Sequence, residues 1–361
     1  MFAASGGHND TIKLLLENKA DVNTVVKGTP EYIEQVRKAI EEGKPDVEPH
    51  KDGVTALMVA AQGGFLKATE MLIEAGAATD VQDEDGLTPL VSAVKGNFGE
   101  VAKLLVKHGA NPNDVYVDDK SKAHNLLMDS IVLNNTEFSL LLIEKGANVS
   151  FADEMGVSPL TQAAYVGQLS VVKALLDKGA DVGAANHEGI NAVIAASSEG
   201  FDDVLSLLLE TKKADVNSKD KDGTNALMAA SVRGHKAIVD RLLENGADVN
   251  AQNVDGHSAL MFAYNGKSQV ESLLHRYQAH LQADQNSTQV VQAALQTHVD
   301  VLTSLIKFGA RTDLKDKDGH TAADFDFKTP EELAAASAAA AESKAAASEG
   351  SITPDGDIVQ L

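Results

Sequence analysis

Residues Asp220–Gln252 read DKDGTNALMAASVRGHKAIVDRLLENGADVNAQ, and this stretch decides the fold because it recurs. Its closing Gly246-Ala247 has counterparts at Gly76-Ala77, Gly109-Ala110, Gly146-Ala147, Gly179-Ala180, Lys213-Ala214 and Gly309-Ala310. The successive intervals are 33, 37, 33, 34, 33 and 63 residues. A period of this size means a small unit stacked on copies of itself, since one such unit cannot bury its own apolar faces. Inside the stretch, Asp222-Gly223 is a tight-turn dipeptide, and Asn225 is placed to cap a helix begun by Ala226. Leu227, Met228, Ala230 and Ser231 fall at helical spacing, and Gly234 ends that helix. Ile238, Val239, Leu242 and Leu243 form the apolar stripe of a second helix, which Gly246 closes. Small Ala229 and Ala230 let the two helices pack closely, so the unit is a turn plus an antiparallel helix pair.

These residues resemble the ankyrin-repeat family, whose unit starts Thr-Pro-Leu-His and ends Gly-Ala-Asp-Val-Asn. The resemblance implies an all-α solenoid. DGLTPL and KHGANPN carry it over 83–117, MGVSPL and DKGADVG over 153–185, and EGINAV and KKADVNS over 186–219. Residues 51–82 and 220–252 match as well. A weaker unit, 118–152, has Lys122-Ala123 in place of the turn, with four extra residues before it. A seventh unit spans 253–315, giving seven full units with a partial one at each end, 1–26 and 316–328.

No unit keeps the family's His after Thr-Pro-Leu: Met58, Val91, Met128, Thr161, Ile194, Met228 and Met261 stand there. The resemblance implies that this His ties neighbouring turns by hydrogen bonds. Apolar packing is then expected to take its place, with less rigid turns. The family's hydroxylation of the Asn in Ala-Asp-Val-Asn would point to Asn23, Asn217 and Asn250.

Two insertions break the period. One, 27–50, carries a helix opened by Thr29-Pro30 with Ile33, Val36, Arg37 and Ile40 on one side. The other, near 268–297, reads as a protruding helical hairpin, with Ser287 or Thr288 capping its second helix. It is a second binding candidate, with a capping or spacer role equally open. Residues 329–348 form an Ala-rich helix behind a Thr329-Pro330-Glu331-Glu332 capping box, and 349–361 an acidic disordered tail. The final Val359-Gln360-Leu361 fits only a loose terminal-capture pattern. At the other end the chain enters the repeat within a first helix without a polar cap, which suggests a preceding segment.

The 361 residues carry 53 acidic against 31 basic side chains, a formal charge of -22. This field opposes approach to nucleic acid and anionic lipid, and no apolar run reaches the roughly 20 residues of a membrane span. There is no Cys, which removes thiolate chemistry. Asp52, Asp85, Asp222, Asp255 and Asp318 recur one place before a Gly, so a turn role explains them better than catalysis. Gly-rich pieces at Gly63–Phe65 and Ser5–His8 fall between helices with no strand before them, and so read as helix breaks. The His residues are scattered, with His275 and His280 five apart, and read as solvated; no cofactor or metal site follows from their spacing.

Function therefore rests on the stacked surface. Ankyrin resemblance implies a concave face of turn tips and exposed first-helix positions, here Val54, Leu87, Met155, Val157, Tyr165, Val166, Ile190, Thr224, Val232, Arg233 and His257. The apolar members Met155, Val157, Tyr165, Val166 and Ile190 form a candidate partner patch rimmed by Glu154, Glu188 and Glu199, or else pack between neighbouring turns. The reading is a monomeric, non-catalytic, intracellular protein-binding scaffold for a protein partner of basic character; the acidic charge equally serves solubility. The alternative makes the chain the recognition arm of a larger enzyme, channel or ubiquitin-ligase-type protein whose functional segment precedes Met1.

Overall fold

The computed structural model describes residues 1–25, 52–117, 123–280 and 285–322, with side chains left aside at 275–288. The insertion at 27–50, the Ala-rich helix at 329–348 and the tail at 349–361 lie outside the described residues, as do residues 323–328 of the partial C-terminal unit. The chain divides into two compact units, 1–181 and 182–361.

In the first unit, α1 (Phe2–Ser5) and α2 (Asn9–Glu17) form the opening pair. Three further pairs follow: α3 (Ala56–Gln62) with α4 (Leu66–Glu74), α5 (Pro89–Lys95) with α6 (Gly99–Lys107), and α7 (Leu126–Val132) with α8 (Thr136–Glu144). The last pair is α9 (Pro159–Tyr165) and α10 (Leu169–Asp177). The second unit holds α11 (Ala192–Glu199), α12 (Asp202–Glu210), α13 (Ala226–Arg233), α14 (Lys236–Glu244), α15 (Ala259–His280) and α16 (Gln285–Lys307). The first helix of each pair packs on first helices of neighbouring pairs, as α3 does on α5, α7 on α9 and α11 on α13.

Six of the first helices, α3, α5, α7, α9, α11 and α13, start on a polar cap. Thr55, Thr88, Asn125, Ser158, Asn191 and Asn225 accept from the amide three residues on, at 3.0–3.2 Å. The core repeats with the sequence: Leu57, Leu90, Leu127, Leu160, Val193, Leu227 and Leu260 are buried, and so are the small Ala60, Ala93, Ala163, Ala196 and Ala230 that let helices approach. Met58, Val91, Met128, Thr161, Ile194, Met228 and Met261 are buried too, as expected of residues replacing the family's His by packing.

Backbone hydrogen bonds also join the turns. The amide of Glu84 donates to Asp52 O (3.0 Å), Lys221 to Glu188 O (2.8 Å), Val254 to Asp222 O (2.8 Å) and Lys317 to Asp255 O (2.8 Å). Each of these bonds runs from one turn to the next, beside the packing of the buried residues. Glycine makes the approach possible. At Gly223 (φ +75°) a Cβ would lie 3.0 Å from Val254 N, and at Gly256 (φ +81°) 2.7 Å from Asp316 Cα.

The side chain that shapes each turn is also not the one expected. Asp83, Asp153, Asn186, Asn253 and Asp316 each accept from the amides two and four residues on, at 2.8–3.0 Å, and Asp220 accepts from Thr224 at 2.7 Å. These residues stand three places before the glycine, two before the Asp85, Asp222, Asp255 and Asp318 singled out from sequence. The geometry requires this, because an Asx side chain reaches amides that follow it.

The plan is all-α with one addition. Before α7, β1 (Val115–Val117) pairs antiparallel with β2 (Ala123–Asn125), with Tyr116 opposite His124. The insertion near 268–297 is made of two helices that pack on each other, continuous with those of its repeat. It lengthens the repeat's own helices α15 and α16 to 22 and 23 residues, and Ser287 and Thr288 lie inside α16 rather than capping it. The cause is visible at the expected break: Gly200 and Gly234 end α11 and α13 in the left-handed region, whereas Lys267 holds the equivalent place in α15. A side chain with a Cβ resists that conformation, so the helix continues.

Gly223→Ala and Gly246→Ala separate the two demands on glycine. Both have positive φ, but nothing lies within 4 Å of a Cβ at Gly246. Gly246→Ala is expected to cost about 1 kcal/mol from backbone conformation alone, and Gly223→Ala about 2–4 kcal/mol because the turn contact must also open. Urea denaturation of both variants checks the order.

Candidate partner-binding surface

The joints between repeats determine which side chains remain available. A second series of joints uses the Asn of the Ala-Asp-Val-Asn ending. Asn23 donates to Gly76 O (3.2 Å) and accepts from Ala78 N (2.8 Å), and Asn113 does the same with Gly146 (3.1 Å) and Asn148 (2.7 Å). In the second unit Asn217 bridges to Gly246 and Asp248, and Asn250 to Gly309 and Arg311, with the same pairs of distances, 3.2 and 2.8 Å. These asparagines are joints, a role that sequence reading missed although they close the repeat ending at the same place each time, Asn217 and Asn250 standing 33 residues apart.

A third joint uses Gln168 and His235 at the starts of α10 and α14 and His298 within α16. Gln168 Nε2 donates to Ile131 O (2.9 Å), His235 Nε2 lies 3.0 Å from Ser198 O, and His298 Nε2 lies 3.2 Å from Val232 O. His298 is buried and His235 half-buried, so the solvated reading of the His residues fails for both. Burial pushes the His235 imidazole below its ordinary 6.5, more than the Ser198 carbonyl raises it. Nearby Arg233 and His298 lower it further, and Glu199 opposes them.

The proposed partner residues separate once these joints are accounted for. Val54, Leu87, Val157, Val166, Ile190, Thr224, Val232 and His257 are half-buried. Met155 and Tyr165 are 55% and 52% exposed. Arg233 pairs with Glu199 at 3.3 Å, and His257 lies 3.5 Å from Asp316. Glu188 of the suggested rim meets Lys221 at 3.4 Å. Met155, Val157, Tyr165 and Val166 belong to the first unit and Ile190 to the second, so each is considered within its own unit.

Two residues missed from sequence complete the first unit's surface. Val132 and Leu133, 56% and 70% exposed, stand at the end of α7 where Tyr165 and Val166 stand at the end of α9, and α7 packs on α9. Beside them the β1–β2 pair stacks Tyr116 on His124 with ring centroids 4.9 Å apart. Asp129 of α7 accepts from the Tyr116 hydroxyl at 2.9 Å and lies 3.0 Å from His124 Nδ1. Lys95 Nζ sits 5.8 Å from the centre of the Tyr116 ring. A small open cleft lined by Val94, Phe98, Asp129 and Leu133 lies at the same place. The alternation Val115-Tyr116-Val117 was the available signal for the strand pair.

The ankyrin-repeat family model matches in three copies, over residues 1–116, 114–186 and 192–277. The chain belongs to the ankyrin-repeat family. Ankyrin repeats are in general protein-interaction modules. Among curated proteins, none matches the sequence. Among the described residues, no helix of this ankyrin-repeat protein is long and apolar enough to cross a membrane.

The buried imidazole has a pH signature. With its folded pKa lowered, His235 charges first in the unfolded chain as pH falls below about 6.5, so its contribution to stability is full above that pH and is lost as pH drops towards the folded value. His235→Gln, which copies Gln168, is expected to melt close to the parent at pH 7.5 and to gain on it steadily towards pH 5. Melting temperatures across that range test this; parallel curves for the two proteins would show that His235 does not titrate differently on folding.

Proposed function

We propose that this ankyrin-repeat protein is a non-catalytic scaffold that holds a protein partner of basic character on the face formed by its turn tips and first-helix ends. The observation that carries the reading is the run of exposed apolar side chains at the ends of two packed helices, Val132 and Leu133 on α7 and Tyr165 on α9. The joints are met by other residues, so these side chains cover no core, and adjacent exposed apolar residues with an aromatic among them are the usual material of an interface centre. The half-buried Leu87, Val157 and Val166 belong to the same unit as this centre, and Ile190 belongs to the second unit. The charge of -22 favours a basic protein and disfavours nucleic acid. In this reading the chain acts as a monomer.

The test is cross-linked affinity capture with mass spectrometry, comparing the parent chain with a Leu133→Asp, Tyr165→Asp variant. Both sites are exposed, so the variant should melt with the parent. A specific partner is expected to weaken 10- to 100-fold, about 1.4–2.7 kcal/mol, and its association to fall as salt rises. Retention of every captured protein at unchanged affinity would remove this surface from the binding face.

A further inference from the structure

We propose, on the basis of the protein-binding reading, that one aliphatic side chain of the partner, the size of leucine or methionine, seats in the small cleft beside Leu133, and that a lysine or arginine adjoins it in the partner's sequence. The cleft thereby selects the partner, and Val132, Leu133 and Tyr165 extend the contact.

The cleft owes its space to a glycine. Val94, Phe98, Leu126, Leu133 and Phe138 line it together with Gly99, the first residue of α6. Glycine elsewhere meets a need of the stack, as at Gly223, where φ is positive and a Cβ would lie 3.0 Å from Val254 N. Gly99 has neither constraint: its φ is not positive, and a Cβ there would meet only Asn135 Nδ2, at 3.9 Å. The first residues of α4, α8, α10, α12 and α14 are Leu66, Thr136, Leu169, Asp202 and Lys236, so the same place in other repeats carries a side chain. Glycine also weakens a helix relative to those residues. A glycine that the fold does not require thus leaves open the room that a side chain would fill. Leu133 lines this room and is 70% exposed, so the cleft and the exposed apolar face share an edge.

The rim sets the charge of the occupant. Glu100 follows Gly99, Glu137 precedes Phe138, and both carboxylates bind the ammonium of Lys103. The two glutamate side chains are 73% exposed and that of Lys103 is 11% exposed, so an approaching partner meets two carboxylates above a covered cation. Each glutamate contacts Lys103 through one oxygen, which leaves the second to accept from a basic side chain. Asp129 in the cleft lining accepts from the Tyr116 hydroxyl and lies beside His124, and Lys95 stands over the Tyr116 ring. These three carboxylates outnumber the two ammonium groups, in a chain whose formal charge is -22. An apolar anchor with a cation beside it is therefore complementary to the cleft in both shape and charge.

A displayed library of random peptides, selected on the full chain, supplies the probe, and the enriched peptides are then measured by fluorescence polarisation. They are expected to pair Leu, Ile or Met with a neighbouring Lys or Arg, and to lose roughly tenfold or more in affinity when that basic residue is exchanged for Glu. Gly99→Leu, which fills the cleft, should weaken them by roughly tenfold or more while melting at or above the parent, as Leu66 and Leu169 at the same place allow. Tyr165→Asp, outside the cleft, reads the wider face separately. Peptides that lose affinity with Tyr165→Asp but bind Gly99→Leu like the parent retain the face and overturn the anchor. Enriched peptides without the aliphatic and basic pair overturn it too, as does Gly99→Leu melting below the parent. Enrichment of no peptide removes both the anchor and the face.

Discussion

The close approach of one turn to the next governs this molecule. A unit of about 33 residues is two short helices and a turn, too small to enclose apolar side chains, so it is stable only when its neighbours lie at a set distance. That distance is fixed where a turn amide meets the carbonyl of the preceding turn, at 2.8–3.0 Å. It requires a residue without a Cβ, since a methyl group at Gly189 would lie 2.8 Å from Asp220 Cα. The Asx side chain ahead of the glycine shapes the turn, the capping residue after it starts the helix, and the buried Leu and Ala of that helix then meet those of the next repeat.

Three different joints hold the stack: backbone to backbone at the turns, Asn side chain to backbone at the repeat ends, and a Gln or His side chain to an open carbonyl. Each satisfies groups that would otherwise be orphaned at helix ends or in loops. Because the joints use few positions per repeat, the exposed ends of the first helices are free to vary. Repeat three uses that freedom for Val132 and Leu133, repeat four for Tyr165, and repeat six for Arg233 in an ion pair with Glu199.

Departures from the period show the same constraints. The strand pair β1–β2 still delivers Asn125 as the cap of α7, so a longer connection leaves the helix where the stack needs it. Where Lys267 replaces a left-handed glycine, the helix runs on, yet Gly266 remains small because a Cβ there would lie 2.1 Å from Val232 O. His298 then supplies the joint from α16 that His235 supplies from α14. Insertion thus occurs at the free ends of a helix pair, while its stacked part stays in register.

The sequence by itself determined the repeat, its helix pairs, their caps at positions such as Asn225, and the buried stripe, because these depend on residues within one period of each other and on periodicity that packing must obey. Contacts between units were legible only as a pattern without a function: Asn23, Asn217 and Asn250 recur visibly, but nothing local says that they bridge to the next repeat. Only the tertiary structure decided that Asp316 rather than Asp318 shapes its turn, that His235 and His298 are joints rather than solvated groups, and that Val132 and Leu133 lie beside Tyr165. The same holds for the approach of His257 to Asp316. The physical reason is distance along the chain: a hydrogen bond or an exposed patch depends on what the stack brings alongside, and residues 33 to 66 positions away leave no local trace of it.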